Sequence, residues 1–210
     1  PASFPEDLLE IMASSDKMCK YMDIPLQHSA DAVLSAMRRS IDGKQTRALV
    51  EKMRKAVPGI ALRTTMMVGH PGEGQNEFED LLSFVNEYKI ERLGAFAYSE
   101  EEGTWGAKNL QDIVPEEVKQ QRLEELMELQ SYISLNFNEG RIGTKERVLV
   151  DSYDDERGLL VGRTSKEAPE VDGEVLIDPR SLSDPRSLIG TFADVEIVGA
   201  DEYDLTAELI

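Results

Sequence analysis

One cysteine, Cys19, and two histidines, His28 and His70, are all that 210 residues offer in the way of soft metal ligands. That scarcity excludes a disulfide framework. It also excludes a zinc site of several Cys or His ligands, and an iron–sulfur cluster held by this chain alone. A reducing, cytoplasmic compartment is the expectation, with Cys19 read as an inert core thiol. No apolar run approaches the roughly 18 residues that span a bilayer, and no secretory signal pattern is present. Pro1 stands where an initiator Met would, which points to a cut or processed start. Positive charge is scarce as well: 23 Lys and Arg face 41 Asp and Glu, for a net charge of −18. Nucleic-acid affinity rests on Lys and Arg displacing counterions, so such a field repels phosphate backbones. It would draw basic partners and speed their encounter. A solvated acidic surface with no partner is the alternative.

Self-contained catalytic sets are missing too. There is no Walker loop and no dinucleotide fingerprint. Neither His lies in a nucleophile motif of the kind a Ser-His-Asp triad needs. Glu100, Glu101 and Glu102 are consecutive and cannot all face one pocket. The glycine-rich stretch from Gly69 to Gly74 contains no Lys, and Pro71 removes one phosphate-binding amide.

What is present is ordinary globular material, 40% hydrophobic and 30% charged, so an ordered chain is expected. Helical and strand patterns alternate over the first two thirds. Pro5 with Glu6 and Asp7 opens a helix carrying Leu8, Leu9 and Met12 on one side. Residues 21–26 read as a strand, and Val33, Leu34 and Met37 as a helix capped by Ser29 or Asp31. Residues 46–57 follow as a helix, stopped by Pro58-Gly59. Residues 60–68 form a strand with Arg63, Thr64 and Thr65 in its middle, residues 76–89 a helix, and residues 93–98 a third strand. Strands separated by helices of this length imply parallel βαβ units, here half a barrel or a small open sheet. A long helix over residues 115–139 shows an apolar stripe at Val118, Leu123, Leu126, Leu129 and Ile133. Five short β-branched runs then fill residues 147–209, which suggests a small antiparallel barrel. The boundary is set at residues 142 and 143.

Barrel logic places a site at the C-terminal ends of the parallel strands. Those ends carry Gln27 and His28, then Gly69 to Glu73, then Tyr98 to Thr104. His70, between Gly and Pro, is expected in an exposed loop, and Trp105 is expected to cover the rim. A buried Arg63 requires a partner: an anionic cofactor group, or an internal ion pair with Asp23 or Glu73.

These same residues carry a family resemblance. Tyr21-Met22-Asp23-Ile24-Pro25-Leu26-Gln27-His28-Ser29, with Met37-Arg38-Arg39 after it, resembles the fourth strand and helix of radical S-adenosylmethionine methylthiotransferases. Leu62 to Glu73 resembles their fifth strand and loop, and Tyr98-Ser99-Glu100-Glu101-Glu102-Gly103-Thr104 their sixth strand end. Gly162-Arg163, Ala168 to Gly173 and Tyr203-Asp204-Leu205 resemble a TRAM domain. The Glu-rich loop is similar to the RimO branch, which methylthiolates an aspartate of small-subunit ribosomal protein twelve; tRNA-directed members usually carry a basic residue and a proline there. Charge agrees, since residues 145–210 hold 7 Lys or Arg against 17 Asp or Glu, where an RNA-binding barrel should be basic.

The resemblance implies an α/β fold. The second half of a partial (β/α) radical SAM TIM-type barrel (residues 1–142) would be followed by an OB-like TRAM barrel (residues 143–210). It implies S-adenosylmethionine and two 4Fe-4S clusters as cofactors, with the cluster cysteines absent from this chain, no metal ligand here, and no catalytic residue acting alone. Gln27, His28, Arg63, Thr65 and Glu73 are expected at the cofactor. Tyr98, Glu101 and Glu102 are expected at the substrate, a basic ribosomal protein. A tRNA-directed enzyme and a non-enzymatic acidic protein-binding module are the alternatives.

Overall fold

The computed structural model describes residues 4–179 and 182–210, in the order α1 (Glu6–Ser14), β1 (Tyr21–Asp23), α2 (Asp31–Ala36), α3 (Gly43–Ala56), β2 (Ala61–Val68), α4 (Gln75–Tyr88), β3 (Arg92–Ala97), α5 (Trp105–Asn109) and α6 (Glu116–Glu139), then β4 (Lys145–Asp154), β5 (Leu159–Arg163), β6 (Val175–Asp178), a 3-10 turn (Pro185–Leu188), β7 (Phe192–Ala200) and β8 (Leu205–Leu209). Two compact units divide the chain, residues 1–130 and 131–210. Among the described residues no helix is long and apolar enough to cross a membrane.

In the first unit, β1, β2 and β3 form a parallel sheet in that order. Period-two burial makes β2 its spine. Leu62, Thr64, Met66 and Val68 are buried, while Arg63, Thr65 and Met67 on the opposite face are half-exposed. The core is completed by the buried sides of α3 (Leu49, Val50, Met53) and α4 (Phe78, Leu81, Phe84, Val85). In register with Met67 on the less covered face is Phe96, 42% exposed. Parallel sheets are normally covered on both faces, so a half-open face marks this sheet as part of a larger wall. The expected partial α/β barrel is therefore present.

β1 ends three residues before the expected Leu26, and the reason is Pro25, which has no N–H for the ladder. The buried Thr64 hydroxyl bridges the gap. It donates to the Ile24 carbonyl (2.8 Å) and accepts the Leu26 N–H (3.2 Å). Pairing resumes at Gln27, whose N–H reaches the Thr65 carbonyl at 2.9 Å and whose own carbonyl takes the Met67 N–H at 2.8 Å. Thr64→Val keeps the shape but strands both backbone groups. It should cost about 1–3 kcal/mol, read as a lowered midpoint in urea unfolding; an unchanged midpoint would discount the bridge.

Three local expectations are corrected. Neither Ser29 nor Asp31 caps α2: its N-cap is Ala30 with no side-chain bond, because Ser29 Oγ donates to Asp80 (2.6 Å) and Asp31 instead accepts the Gly43 N–H (2.7 Å). Cys19 is exposed rather than a core thiol, since it falls in the irregular segment between α1 and β1. The stripe on α6 is also displaced. Of the expected residues only Leu126 and Ile133 are buried, and the buried line runs through Lys119, Arg122, Leu126, Gln130, Ile133, Ser134 and Asn138. Most of this line is polar because it serves carbonyls. Within the first unit Gln130 Nε2 donates to the Ile90 carbonyl at 3.1 Å. Within the second, Asn138 Nδ2 donates to the Asp201 carbonyl at 2.9 Å, with Ser134 Oγ bonded to the Glu202 carbonyl nearby.

The second unit contains a closed barrel in the order β4-β5-β6-β8-β7. Its interior alternates on four strands, through Val148 and Val150, Val175 and Ile177, Ala193, Val195 and Ile197, and Leu205 and Ala207, while β5 buries Leu160, Val161 and Gly162 in succession. Bulges at Val150/Ser152 and Ile197/Gly199 bend the long strands. The small barrel was expected to be antiparallel, and it is so except that β6 and β8 run parallel. Geometry requires the exception, because a ring of five strands cannot alternate direction all the way round.

Candidate cofactor and substrate groove

A groove of about 560 Å³ opens at the C-terminal end of the parallel sheet. Gln27, Met67 and Phe96 lie along it, and Pro25, Arg38, Arg39, Tyr98, Glu101 and Trp105 also line it. Gln27 enters it from a left-handed backbone (φ 74°) imposed where pairing resumes after Pro25. Arg63 and Thr65 share the half-exposed face with Met67, further down the strand. Of the two partners considered for Arg63, Asp23 is the one found, with Nη1–Oδ2 at 2.7 Å.

The side chains of His28 and Glu73 have no exposed surface and lie beneath the groove rather than in it. They meet each other. His28 Nδ1 accepts the Ala30 N–H (3.0 Å), so its proton sits on Nε2, which donates to Glu73 at 3.1 Å. The Glu73 carboxylate also accepts the Gly69 N–H at 2.9 Å and Arg122 Nη1 at 2.8 Å. Arg122 Nη1 further reaches the Glu73 carbonyl at 3.0 Å. One buried carboxylate thereby pins both ends of the loop after β2. Gly69 fits this turn on two counts: its φ is +72°, and an added Cβ would come within 2.3 Å of Lys119 Cγ.

His70 is not exposed as expected but only 5% accessible. Its ring stands edge-on to Tyr98, centroids 5.0 Å apart, and Nδ1 lies 2.8 Å from the Pro71 carbonyl. Burial holds its imidazole below the ordinary value, against the opposing pull of that carbonyl. Tyr98 is fastened by Lys119, whose ammonium lies 5.3 Å from the ring centre and bonds the Tyr98 carbonyl (3.2 Å) and Asp112 (2.5 Å). Burial, with Glu100 and Asp112 nearby, raises the Tyr98 phenol. Glu101 lines the groove, whereas Glu102 is an exposed neighbour outside it. Trp105 is 43% exposed at the rim, with the Arg38 guanidinium 5.1 Å from its ring centre.

The structure thus separates the predicted residues into four groups: Gln27 with Tyr98 and Glu101 in the groove, Arg63 and Thr65 on the sheet below it, His28 with Glu73 in a buried network, and Glu102 exposed outside the groove. Sequence reasoning missed Lys119 and Arg122. On a helix, charged residues read as solvated by default; only their spacing with Leu126 would have placed them on the buried line.

The parallel strands with a half-open face and the five-stranded barrel after them each fall in a stretch that a known family model matches. The radical SAM superfamily model matches residues 1–85 and the TRAM domain model residues 142–210. Over its whole length the chain is similar to methylthiotransferases of the RimO type. It is 49% identical over all 210 residues to the ribosomal protein uS12 methylthiotransferase RimO of Bacteroides fragilis, covering 48% of that protein. To the RimO protein of Cytophaga hutchinsonii it is 45% identical over the same length, covering 47%. The chain spans about half the length of these curated relatives. Among solved structures, coproporphyrinogen III oxidase (HemN) from Escherichia coli, a radical SAM enzyme, matches with a TM-score of 0.52 and 18% identity, over 62% of this chain and 30% of that one. That likeness is one of fold.

Proposed function

We propose that this chain is part of a radical SAM methylthiotransferase that replaces one hydrogen on an aspartate side chain of ribosomal protein uS12 with a methylthio group. The observation that carries this reading is the 49% identity to a RimO protein running through all 210 residues, sheet and small barrel alike. Residues 1–142 belong to the radical SAM barrel in this reading and residues 143–210 form the TRAM domain. S-adenosylmethionine, when bound, supplies the radical that removes the hydrogen and the methyl group that is transferred.

The donor set on the sheet fits that cofactor. Arg63 and Asp23 offer a cation and an anion to its amino-acid end, Gln27 and Thr65 offer hydrogen bonds, and Met67 and Phe96 offer apolar surface to its base. His28 and Glu73 serve it from beneath by fixing the loop. Iron–sulfur ligation does not fit: the chain has one cysteine, it is exposed, and among the described residues no group of three or more His, Cys, Asp and Glu is placed to hold a metal. The 4Fe-4S clusters therefore fall to residues outside this chain. Tyr98, Glu101 and Glu102 face the substrate side, and the acidic TRAM barrel suits a basic ribosomal protein better than RNA.

The test is mass analysis of the ribosomal protein after incubation with the full-length, cluster-reconstituted enzyme and S-adenosylmethionine. A methylthio group on one aspartate is the expected product. Modification of tRNA with no change to the ribosomal protein would overturn the assignment.

A further inference from the structure

Arg38 stands out in a chain so rich in carboxylates, because among the described residues it makes no ion pair; its one contact of note is the face of Trp105. Its neighbour Arg39 is partly committed, with Nη2 donating to the Pro25 carbonyl at 2.6 Å. The backbone at Arg38 is also unusual. α2 closes with the Arg39 N–H on the Leu34 carbonyl (2.9 Å), which puts Arg38 at the left-handed position after the helix, φ 56°. Glycine is the usual residue there because it has no Cβ to strain. Arginine pays that strain, so the return must come from its side chain.

The side chain is well prepared for one kind of ligand. A guanidinium presents a planar fork that matches a carboxylate bidentately. Stacking on Trp105 holds that plane at the groove rim before anything binds. Two carboxylates would concern this groove in the proposed reaction, the cofactor's and the target aspartate's. Deeper on the sheet, Arg63 with Asp23 already matches a zwitterionic amino-acid end. Arg38 instead lines the groove together with Glu101 and with Trp105, on which it stacks.

We infer that Arg38 is a specificity-determining residue that receives the carboxylate of the target aspartate, an inference that rests on the function proposed above. Holding that carboxylate fixes the adjacent carbon, from which hydrogen must be removed, in one orientation.

The experiment uses the full-length, reconstituted enzyme with the ribosomal protein carrying either its target aspartate or asparagine there. Arg38→Gly is the main variant, since glycine suits the backbone and folding is not at issue; Arg38→Lys keeps the charge without the fork. Wild type should bind the aspartate form about ten to a hundred times more tightly than the asparagine form, the size of a charge-assisted hydrogen-bond pair. Arg38→Gly should bring the two close to parity with S-adenosylmethionine affinity unchanged, and Arg38→Lys should fall between. Equal weakening of both forms would overturn the inference, as would loss confined to S-adenosylmethionine binding. A wild-type enzyme that leaves the ribosomal protein unmodified overturns the proposed function and this inference together. One that modifies it while Arg38→Gly keeps the aspartate preference overturns the role of Arg38 alone.

Discussion

Glu73→Ala lowers the stability of the unit formed by residues 1–130 by about 3–5 kcal/mol, the usual consequence of removing one partner from a buried ion pair. The expectation follows from what the carboxylate leaves behind. Arg122 would keep a charge with no anion, and the Gly69 N–H and His28 Nε2–H would lose their acceptor in a region closed to water. Glu73→Gln should be milder, because an amide oxygen can still accept while its NH₂ faces donors it cannot satisfy. Urea unfolding followed by circular dichroism gives the magnitude, and hydrogen exchange at Gly69 localises it. A loss under about 1 kcal/mol for Glu73→Ala would mean that the loop is held by something other than this carboxylate.

In the second unit the comparable change is Arg141→Met, also expected to cost about 3–5 kcal/mol. Arg141 is buried, with Nε and Nη2 on the two oxygens of Glu146 (2.9 and 3.1 Å), Nη2 on Thr164 Oγ1 (3.0 Å), and Nη1 on Glu167. Burial by itself would lower the guanidinium's value, but Glu146 and Glu167 outweigh it and raise it. For Glu146 the balance runs the other way. Burial would raise its carboxyl, yet the Arg141 hydrogen bond and charge, helped by Lys166, hold it below 4.5. A carboxyl depressed by folding stabilises fully above its unfolded value and loses that contribution as pH falls through the folded one. Wild type should therefore lose stability on acidification below about pH 4.5, and Arg141→Met should lose less over the same interval. Thermal unfolding across a pH series checks this, and parallel acid limbs in the two proteins would refute it.

Periodicity made the first unit's alternation readable, because helices and parallel strands announce themselves through apolar spacing. It also made the barrel readable, since four of its five strands alternate buried and wetter residues. What escaped notice were places where a polar side chain serves the backbone. The stripe on α6 is one case: Lys119, Arg122, Gln130 and Asn138 are buried because carbonyls and one carboxylate await them, while the more apolar Val118 and Leu129 are only half-buried. Pro25 is another. It announces a break, but nothing in the sequence says that a threonine 39 positions later repairs it. For the site, strand-end logic gathered the right neighbourhood but not the depth of each residue. His28 and Gln27 are adjacent in sequence, yet the first is wholly buried and the second lines the groove, since the left-handed turn at Gln27 sets them in different layers.

The order of strands in the small barrel bears on how it is made in the cell. β8 lies between β6 and β7, and β4 closes against β7. As the chain leaves the ribosome, Lys145–Asp154, Leu159–Arg163 and Val175–Asp178 emerge as a meander with two free margins. No arrangement of those three can seal itself. Sealing waits on Phe192–Ala200 and then on Leu205–Leu209, so the module becomes water-tight only when its last-made segment slides between two older ones. A nascent chain stalled a few codons short of that point would present sticky edges to its neighbours.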